Sequence, residues 1–218
     1  MTIDAELPSP PSRFAWVLRG ASCGPDEAFD EDLARYPEAA VIPTRGALVP
    51  SWLLVVPRKA CLSVAELDVN ERARLLSIAE EVSIQVTARA GACVAFEHGP
   101  GRRGTAAGCG VDQAHLHVVG GAPDLLDRLI ERVSENWSAA DHADPWSAVP
   151  TGSDYLMIRD QGRAVRALMA SPTSQRLRRA LANALGIEQE WDYRSHPNAP
   201  NARRTKEMFR GAFAPVTT

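Results

Sequence analysis

The sequence predicts an α+β fold: an antiparallel sheet with one long helix packed on it, extended by a C-terminal hairpin and further helices. Three observations point to this class. Short apolar runs of strand character flank one long helical stretch instead of alternating with helices. Two late runs, 155–158 and 163–168, are joined across Gln161-Gly162, which reads as a hairpin turn. No segment repeats another, so the 218 residues are read as one domain with an elaborated end. The expected division is a flexible tail over 1–12, a core over 13–121, and an extension over 122–218 packed on the same domain.

Each element follows from local signals. Residues 14–18 read as a short strand, and 20–40, rich in Gly, Pro, Asp and Glu, as loop with at most one helical turn. Residues 40–44 and 52–56 read as two strands, with Gly46 and Pro50 marking the turn between them. Ser63 and Glu66 have the spacing of a capping box that opens a helical turn. The longest helix is predicted over 71–90, with Leu75, Ala79, Val82 and Val86 as its apolar stripe and Gly91 as its end. Residues 92–96 read as a strand, and 97–110 as a loop punctuated by Gly99, Gly101, Gly104, Gly108 and Gly110. A strand over 113–119 follows, closed by Gly120-Gly121. Pro123 opens a helix expected to reach about Trp137. Ser174 is expected to cap a basic amphipathic helix ending at Gly186, and the remainder is polar and aromatic.

Composition excludes several function classes. Apolar residues make up 45% of the chain, enough for a real core. A net charge of −3 gives no basic field for nucleic acid. No apolar run approaches the roughly 18 residues that span a membrane. The N-terminal stretch lacks the basic start and apolar middle of a signal peptide. Four cysteines, Cys23, Cys61, Cys93 and Cys109, show no C-x-x-C pairing, so reduced thiols in a cytoplasmic protein are the default.

The chemistry concentrates at Gln113-Ala114-His115-Leu116-His117-Val118-Val119. Alternation along a strand puts Gln113, His115 and His117 on one face, and Ala114, Leu116 and Val118 on the core face. Two of the five histidines of the chain converge here, behind a Gly-rich loop. Plainer readings stand beside a catalytic one. The pair could be a solvated sheet face, or metal ligands with Glu97 or His98, a mixed set that suits Zn, Fe or Mn. Cys93 and Cys109 read as buried apolar residues more than as Zn ligands. Arg102 and Arg103 are either a solvated loop tip or phosphate contacts. Arg176, Arg178 and Arg179 read as a solvated helix face, and Trp52 as core or pocket wall.

The strand resembles the H-φ-H-φ-H-φ-φ motif of the histidine-triad superfamily of nucleotide hydrolases and transferases, φ being apolar. Residues 49–57, Val-Pro-Ser-Trp-Leu-Leu-Val-Val-Pro, resemble that family's V-P-G-H-φ-L-φ-φ-P segment. Phe96-Glu97-His98-Gly99, Ser174-Gln175 with Leu177-Arg178, and Trp191-Asp192-Tyr193-Arg194 resemble a bacterial branch with a C-terminal extension. The likeness runs over residues 36–210.

The resemblance implies attack of an imidazole nitrogen on a nucleoside α-phosphate, giving a covalent nucleotidyl-histidine that water or another acceptor resolves. It implies His115 as nucleophile and His117 as stabiliser of phosphate charge. Gln113 then stands at the leaving-group position and Thr44 near the ribose. The Gly-rich loop, with Gly108 and Gly110, would offer N–H groups to phosphate, helped by Arg102 and Arg103. His98 is a candidate proton source. The partner is a nucleotide or nucleoside-phosphate conjugate, in a homodimer, with neither nucleic acid nor membrane involved. No cofactor is implied; Zn is the alternative. The sequence departs from the pattern at Gln113, Ser51, Trp52 and Ala60. Gln cannot carry a proton near neutral pH, which opens two competing readings. One is a nucleotide-binding protein without catalysis, and the other a metal enzyme reusing His115 and His117.

Overall fold

The computed structural model describes residues 13–121 and 124–213. The expected tail over 1–12 and Pro123 fall outside that range. Along the chain run α1 (Ala15–Leu18), β1 (Ala34–Arg35), β2 (Ala39–Pro43), β3 (Trp52–Pro57), α2 (Val69–Ala90), β4 (Cys93–Gly99) and β5 (Leu116–Gly120). Then follow α3 (Leu125–Arg132), β6 (Ser138–Ala139), β7 (Tyr155–Arg159), β8 (Ala164–Leu168), α4 (Arg176–Ala184) and α5 (Ala199–Phe209). Among the described residues, eight strands form one sheet in the order β1-β2-β3-β5-β4-β7-β8-β6. Neighbouring strands are antiparallel throughout. The class is therefore α+β, as the sequence predicts. No helix of the described residues is long and apolar enough to cross a membrane.

Helices cover both sides of this sheet, which explains why its central strands read as unbroken apolar runs. Every residue of β3 and β4 is buried. On one face Leu75, Ala79, Val82 and Val86 of α2 pack with Leu116 and Val118 of β5 and with Phe209 of α5. On the other, Leu125 and Leu129 of α3 and Leu177 and Leu181 of α4 pack on Trp52, Phe96 and Val119. Burying each such side chain contributes about 1.5–3 kcal/mol. A third cluster seats Phe14, Trp16 and Val17 against Ile42, Leu54 and Val56.

The long helix starts one turn after the predicted box. Asp68 Oδ1 accepts from the N–H of Asn70 and Glu71, both at 2.9 Å, and Glu71 Oε2 accepts from Asp68 N at 2.9 Å. This reciprocal cap is worth about 1 kcal/mol. Ser63 makes no capping bond; Val64–Glu66 is a lone 3-10 turn. Gly91 ends the helix as expected, at φ 84°.

Four expectations need correction. Residues 14–18 form the helical turn α1, not a strand, because Phe14, Trp16 and Val17 all bury their side chains in one corner. Helix α3 stops at Arg132, short of Trp137, where Val133 turns extended. Ser174 does not cap α4: the cap residue is Gln175, held at φ 57°, and the Ser174 hydroxyl is buried without a partner. Helix α5 lies in the segment read only as polar and aromatic. Its Pro sits in the first turn, and Ala202, Thr205 and Phe209 form its buried stripe.

Candidate active site

Strands β4 and β5 pair with Phe96 opposite His117. That register brings His98 and His117 to the same face, with Phe96 stacked on His117 at 4.5 Å between ring centroids. His115 lies one step before β5, its ring 4.9 Å from that of His117, and His98 stands 6.2 Å from His117. The three imidazoles therefore form one cluster. Phe14 of the N-terminal segment covers it, 5.4 Å from the His115 ring.

Hydrogen bonds fix the tautomers. His115 Nδ1 lies 2.9 Å from the main-chain oxygen of Gln113. A carbonyl only accepts, so Nδ1 carries the proton and Nε2 keeps its lone pair. His117 shows the reverse arrangement: Trp52 Nε1 donates to its Nδ1 at 2.9 Å, which leaves the proton on Nε2. His98 Nε2 accepts from the N–H of Leu177 at 2.9 Å. That N–H is one of the orphan donors in the first turn of α4, so His98 caps a helix. Burial holds all three rings neutral. His115 is pushed down to about 4 and His98 to about 3 by desolvation and nearby positive charge, and His117 falls well below its ordinary value for the same reasons.

The rings open on a cavity of about 30 Å³, room for a single water. Around it stand Arg13, Phe14, Thr44, Arg45, Arg178 and Tyr193. Thr44 is buried and its hydroxyl has no partner. Arg178, read from sequence as part of a solvated face, is 3% exposed. Its guanidinium donates to Gly46 O at 2.5 Å and Trp191 O at 3.1 Å and lies 4.6 Å above the Trp52 ring. Gly46 makes this approach possible: at φ 72°, a Cβ there would stand 2.8 Å from Arg178 Nη2. The signal for Arg178 was present in the sequence, since it lies three residues before Leu181 and so beside the buried stripe of α4. Arg13 and Arg45 reach the cavity from outside every motif, and no local pattern identified them.

Other predicted site residues fall elsewhere. The Gln113 side chain is 1% exposed and donates to Pro57 O at 3.2 Å and Lys59 O at 3.0 Å. The alternation that put it beside the histidines fails because β5 begins only at Leu116. What Gln113 brings to the cluster is its carbonyl, not its amide. Arg102 and Arg103 are exposed at the loop tip and do not line the cavity. The N–H of Gly108 bonds Thr105 O at 3.3 Å, closing a 3-10 turn. Gly110, at φ 79°, faces Arg194, whose Nη2 would be 2.4 Å from a Cβ there. Arg194 and Tyr193 each donate to Cys109 O at 2.9 Å, which clamps the C-terminal segment onto the Gly-rich loop.

Glu97 points to the opposite face of β4. Its carboxylate accepts from Val64 N at 2.8 Å, Trp146 Nε1 at 2.8 Å and Tyr155 Oη at 2.6 Å. It therefore cannot join His115 and His117 around one metal. Among the described residues, no group of three or more His, Cys, Asp or Glu side chains is placed to hold a metal ion.

No curated protein matches the chain. Among solved structures, a Hit-like protein from Bartonella henselae, described as involved in cell-cycle regulation and bound to an unknown ligand, superposes at a TM-score of 0.41 with 14% identity. The alignment covers 51% of this chain and 78% of that one. The family model of the HIT domain matches residues 33–124, a span that runs from the strand before β2 through the histidine strand. Over that span this chain is similar to HIT domains.

Proposed function

We propose that the protein is a nucleotide hydrolase or nucleotidyl transferase that acts at a nucleoside α-phosphate through a covalent nucleotidyl-His115 intermediate. The observation that carries this reading is the pair of opposite tautomers. His115 Nδ1–H donates to Gln113 O at 2.9 Å and presents a bare Nε2. His117 receives Trp52 at Nδ1 at 2.9 Å and so presents an N–H. One ring supplies a lone pair and its neighbour supplies a donor, 4.9 Å away, which is what attack on a phosphorus with charge developing on its oxygens requires.

The steps use these groups. The Nε2 lone pair of His115 forms the N–P bond as the bond from phosphorus to the leaving group breaks. The ring becomes cationic, and its Nδ1–H strengthens its bond to Gln113 O. His117 Nε2–H donates to a phosphoryl oxygen. Water or another acceptor then displaces His115, whose Nε2 recovers its lone pair. Thr44 has the one unpartnered hydroxyl among the named cavity groups and is the candidate for a contact to the sugar or phosphate. Arg13, Arg45 and Tyr193 line the small cavity, and admitting a nucleotide requires lining side chains to move aside.

The test is incubation with nucleoside phosphoramidates, dinucleoside polyphosphates and nucleotide sugars, followed by mass spectrometry of the peptide that contains His115. A nucleotidyl adduct on His115 is expected. Turnover that persists unchanged in His115→Ala would end the proposal. One observation favours the second reading, a nucleotide-binding protein without turnover: the Gln113 amide, at the leaving-group position, is tied to Pro57 O and Lys59 O and offers no proton to the cavity. That reading predicts calorimetric binding of a mononucleotide with no product and no adduct.

A further inference from the structure

A cavity of about 280 Å³ lies on the other side of the sheet, between α2, β4 and the turn that joins β7 to β8. It exists because small side chains meet there: Ala79 and Ser83 of α2 stand over Cys93 and Ala95 of β4. Protein interiors otherwise close to crystal density, so a gap of this size leaves room for the body of a small ligand. Its wall offers little polarity. The Ser83 hydroxyl donates to Ala79 O at 2.7 Å, and the Cys93 thiol donates to Ser83 O at 3.5 Å. Ile84, 61% exposed, carries the apolar wall out to the mouth.

One charged group enters this gap from the sheet. Arg159 of β7 stands directly opposite Ala95 in the ladder, and paired residues share a face. Its side chain is 6% exposed, yet among the described residues all its hydrogen bonds run through one nitrogen. Nη2 donates to Glu80 Oε1 at 3.0 Å and meets the His142 ring, 3.3 Å from Nδ1 and 3.0 Å from Nε2. His142 Nε2 also lies 3.0 Å from Asp160 O, so Nε2 carries the proton and Nδ1 is the acceptor for Arg159. Nε and Nη1 of Arg159 therefore hold unmet donors in a buried place, which favours an incoming acceptor. The carboxylate now on Nη2 is loosely held. Glu80 is 53% exposed, and an ion pair with one partner so solvated is weak. Asp160 is already engaged, its Oδ1 accepting from the N–H of Gly162 and Arg163, both at 2.8 Å.

We infer that this cavity is a ligand site for a small monocarboxylate with an aryl or branched alkyl body, whose carboxylate takes the Arg159 fork in place of Glu80. A carboxylate grips a guanidinium through two parallel N–H groups, and either edge of the fork includes Nη2. Bidentate binding thus releases Glu80 to solvent, one carboxylate for another. The apolar body fills the space between Ser83 and Ala95. A dianion is disfavoured, because Arg159 is the one cation among the described lining residues and Asp160 stands beside it. The sheet separates this site from His115: Cys93 and Ala95 pack on the α2 side, and Phe96 packs on the side of the histidines. The inference is independent of the nucleotidyl chemistry.

Phenylacetate and isocaproate are the probes, titrated into the full chain by calorimetry. Each is expected to bind at about 0.1 mM or tighter, and phenylacetamide and acetate at least about 10-fold more weakly. Arg159→Gln is expected to weaken phenylacetate by about 10- to 100-fold. Ser83→Leu fills the gap without touching Arg159 and should abolish binding; it serves if Arg159→Gln does not fold. Glu80→Ala removes the competing carboxylate and should tighten binding by about two- to fivefold. His115→Ala, across the sheet, should leave the affinity as it is. No binding of either probe at about 10 mM would overturn the inference. So would equal affinity for phenylacetate and phenylacetamide, binding that ignores Ser83→Leu, or binding that weakens in Glu80→Ala. Loss of binding in His115→Ala would place the probe in the histidine cavity and overturn it equally.

Discussion

Glu97 and His98 are consecutive residues of β4, both buried, and they point to opposite faces of the sheet. On one face the Glu97 carboxylate takes three hydrogen bonds, from the Val64 N–H, the Trp146 indole and the Tyr155 hydroxyl. Tyr155 in turn accepts from the N–H of Ala65 at 3.3 Å. These partners tie β4 and β7 to the turn before α2, and the set is closed on itself. On the other face His98, His115 and His117 each have one nitrogen anchored, and among the described residues none of their second nitrogens is held by a hydrogen bond. Both faces hold titratable groups displaced from their ordinary values by burial. Perturbed titration alone therefore does not separate structure from chemistry here. The separation comes from unused hydrogen-bonding capacity, which the histidine cluster retains and the Glu97 set lacks.

Two substitutions would break this contrast most sharply. His115→Ala removes the free lone pair that would attack phosphorus, so no nucleotidyl adduct should form at this position and turnover is expected to fall by about 10⁴-fold or more. The fold should survive, since His115 keeps intermediate exposure and bonds only a neighbouring carbonyl. Thermal unfolding within a few degrees of wild type would confirm that. Glu97→Ala should do the opposite. It strands three buried donors and is expected to cost about 3–5 kcal/mol in denaturant unfolding. The protein that remains folded should still form adduct. A stable Glu97→Ala protein without adduct formation would make Glu97 part of the chemistry and erase the distinction.

The fold was legible because it rests on patterns with strong periods. The stripe Leu75, Ala79, Val82 and Val86 and the hairpin across Gln161-Gly162 are both local signals, and both appear as read. The site was legible only where a motif lies in one segment, as with His115 and His117. Gln113 shows the limit. Alternation holds only while the backbone is extended in the sheet, and the chain leaves the sheet before Leu116. Gln113 Nε2 then turns to oxygens of Pro57 and Lys59, more than fifty residues upstream. Arg13, Arg45 and Arg178 come from three distant segments and meet only through tertiary packing, so no spacing along the chain reveals them.

The two faces also predict opposite responses to pH. His115 titrates near 4 in the folded protein against 6.5 ordinarily, so below pH 6.5 the unfolded chain binds more protons. Its contribution is full above 6.5 and is lost as pH falls toward 4, about 3 kcal/mol in all. His98 and His117 act in the same direction. Burial raises Glu97 from 4.5 to about 7, so it stabilises fully below 4.5 and loses that contribution as pH rises through 7. Three histidines oppose one carboxylate, and net stability is expected to fall between pH 6.5 and 5. Denaturant unfolding across that range checks the sign, and Glu97→Gln should steepen the loss. Stability that rises on acidification would mean that the histidines are not held neutral.

The smallest expected effect addresses how the two catalytic rings come to differ. Trp52 donates to His117 Nδ1 and nothing else in the cluster sets that tautomer. Trp52→Phe keeps an aromatic ring against Phe96 and removes the donor. The Nε2–H form of His117 then has no bond to favour it, although free imidazole still populates it. The loss is one hydrogen bond, so adduct formation should slow by about tenfold or less. Nitrogen-15 spectra give the direct readout. In the wild type His117 should show a protonated Nε2 and His115 a protonated Nδ1. In Trp52→Phe the His117 signals should shift toward a mixture while those of His115 stay fixed by Gln113 O. If both rings change together, the tautomers are coupled through their own contact at 4.9 Å and not set independently by Trp52 and Gln113.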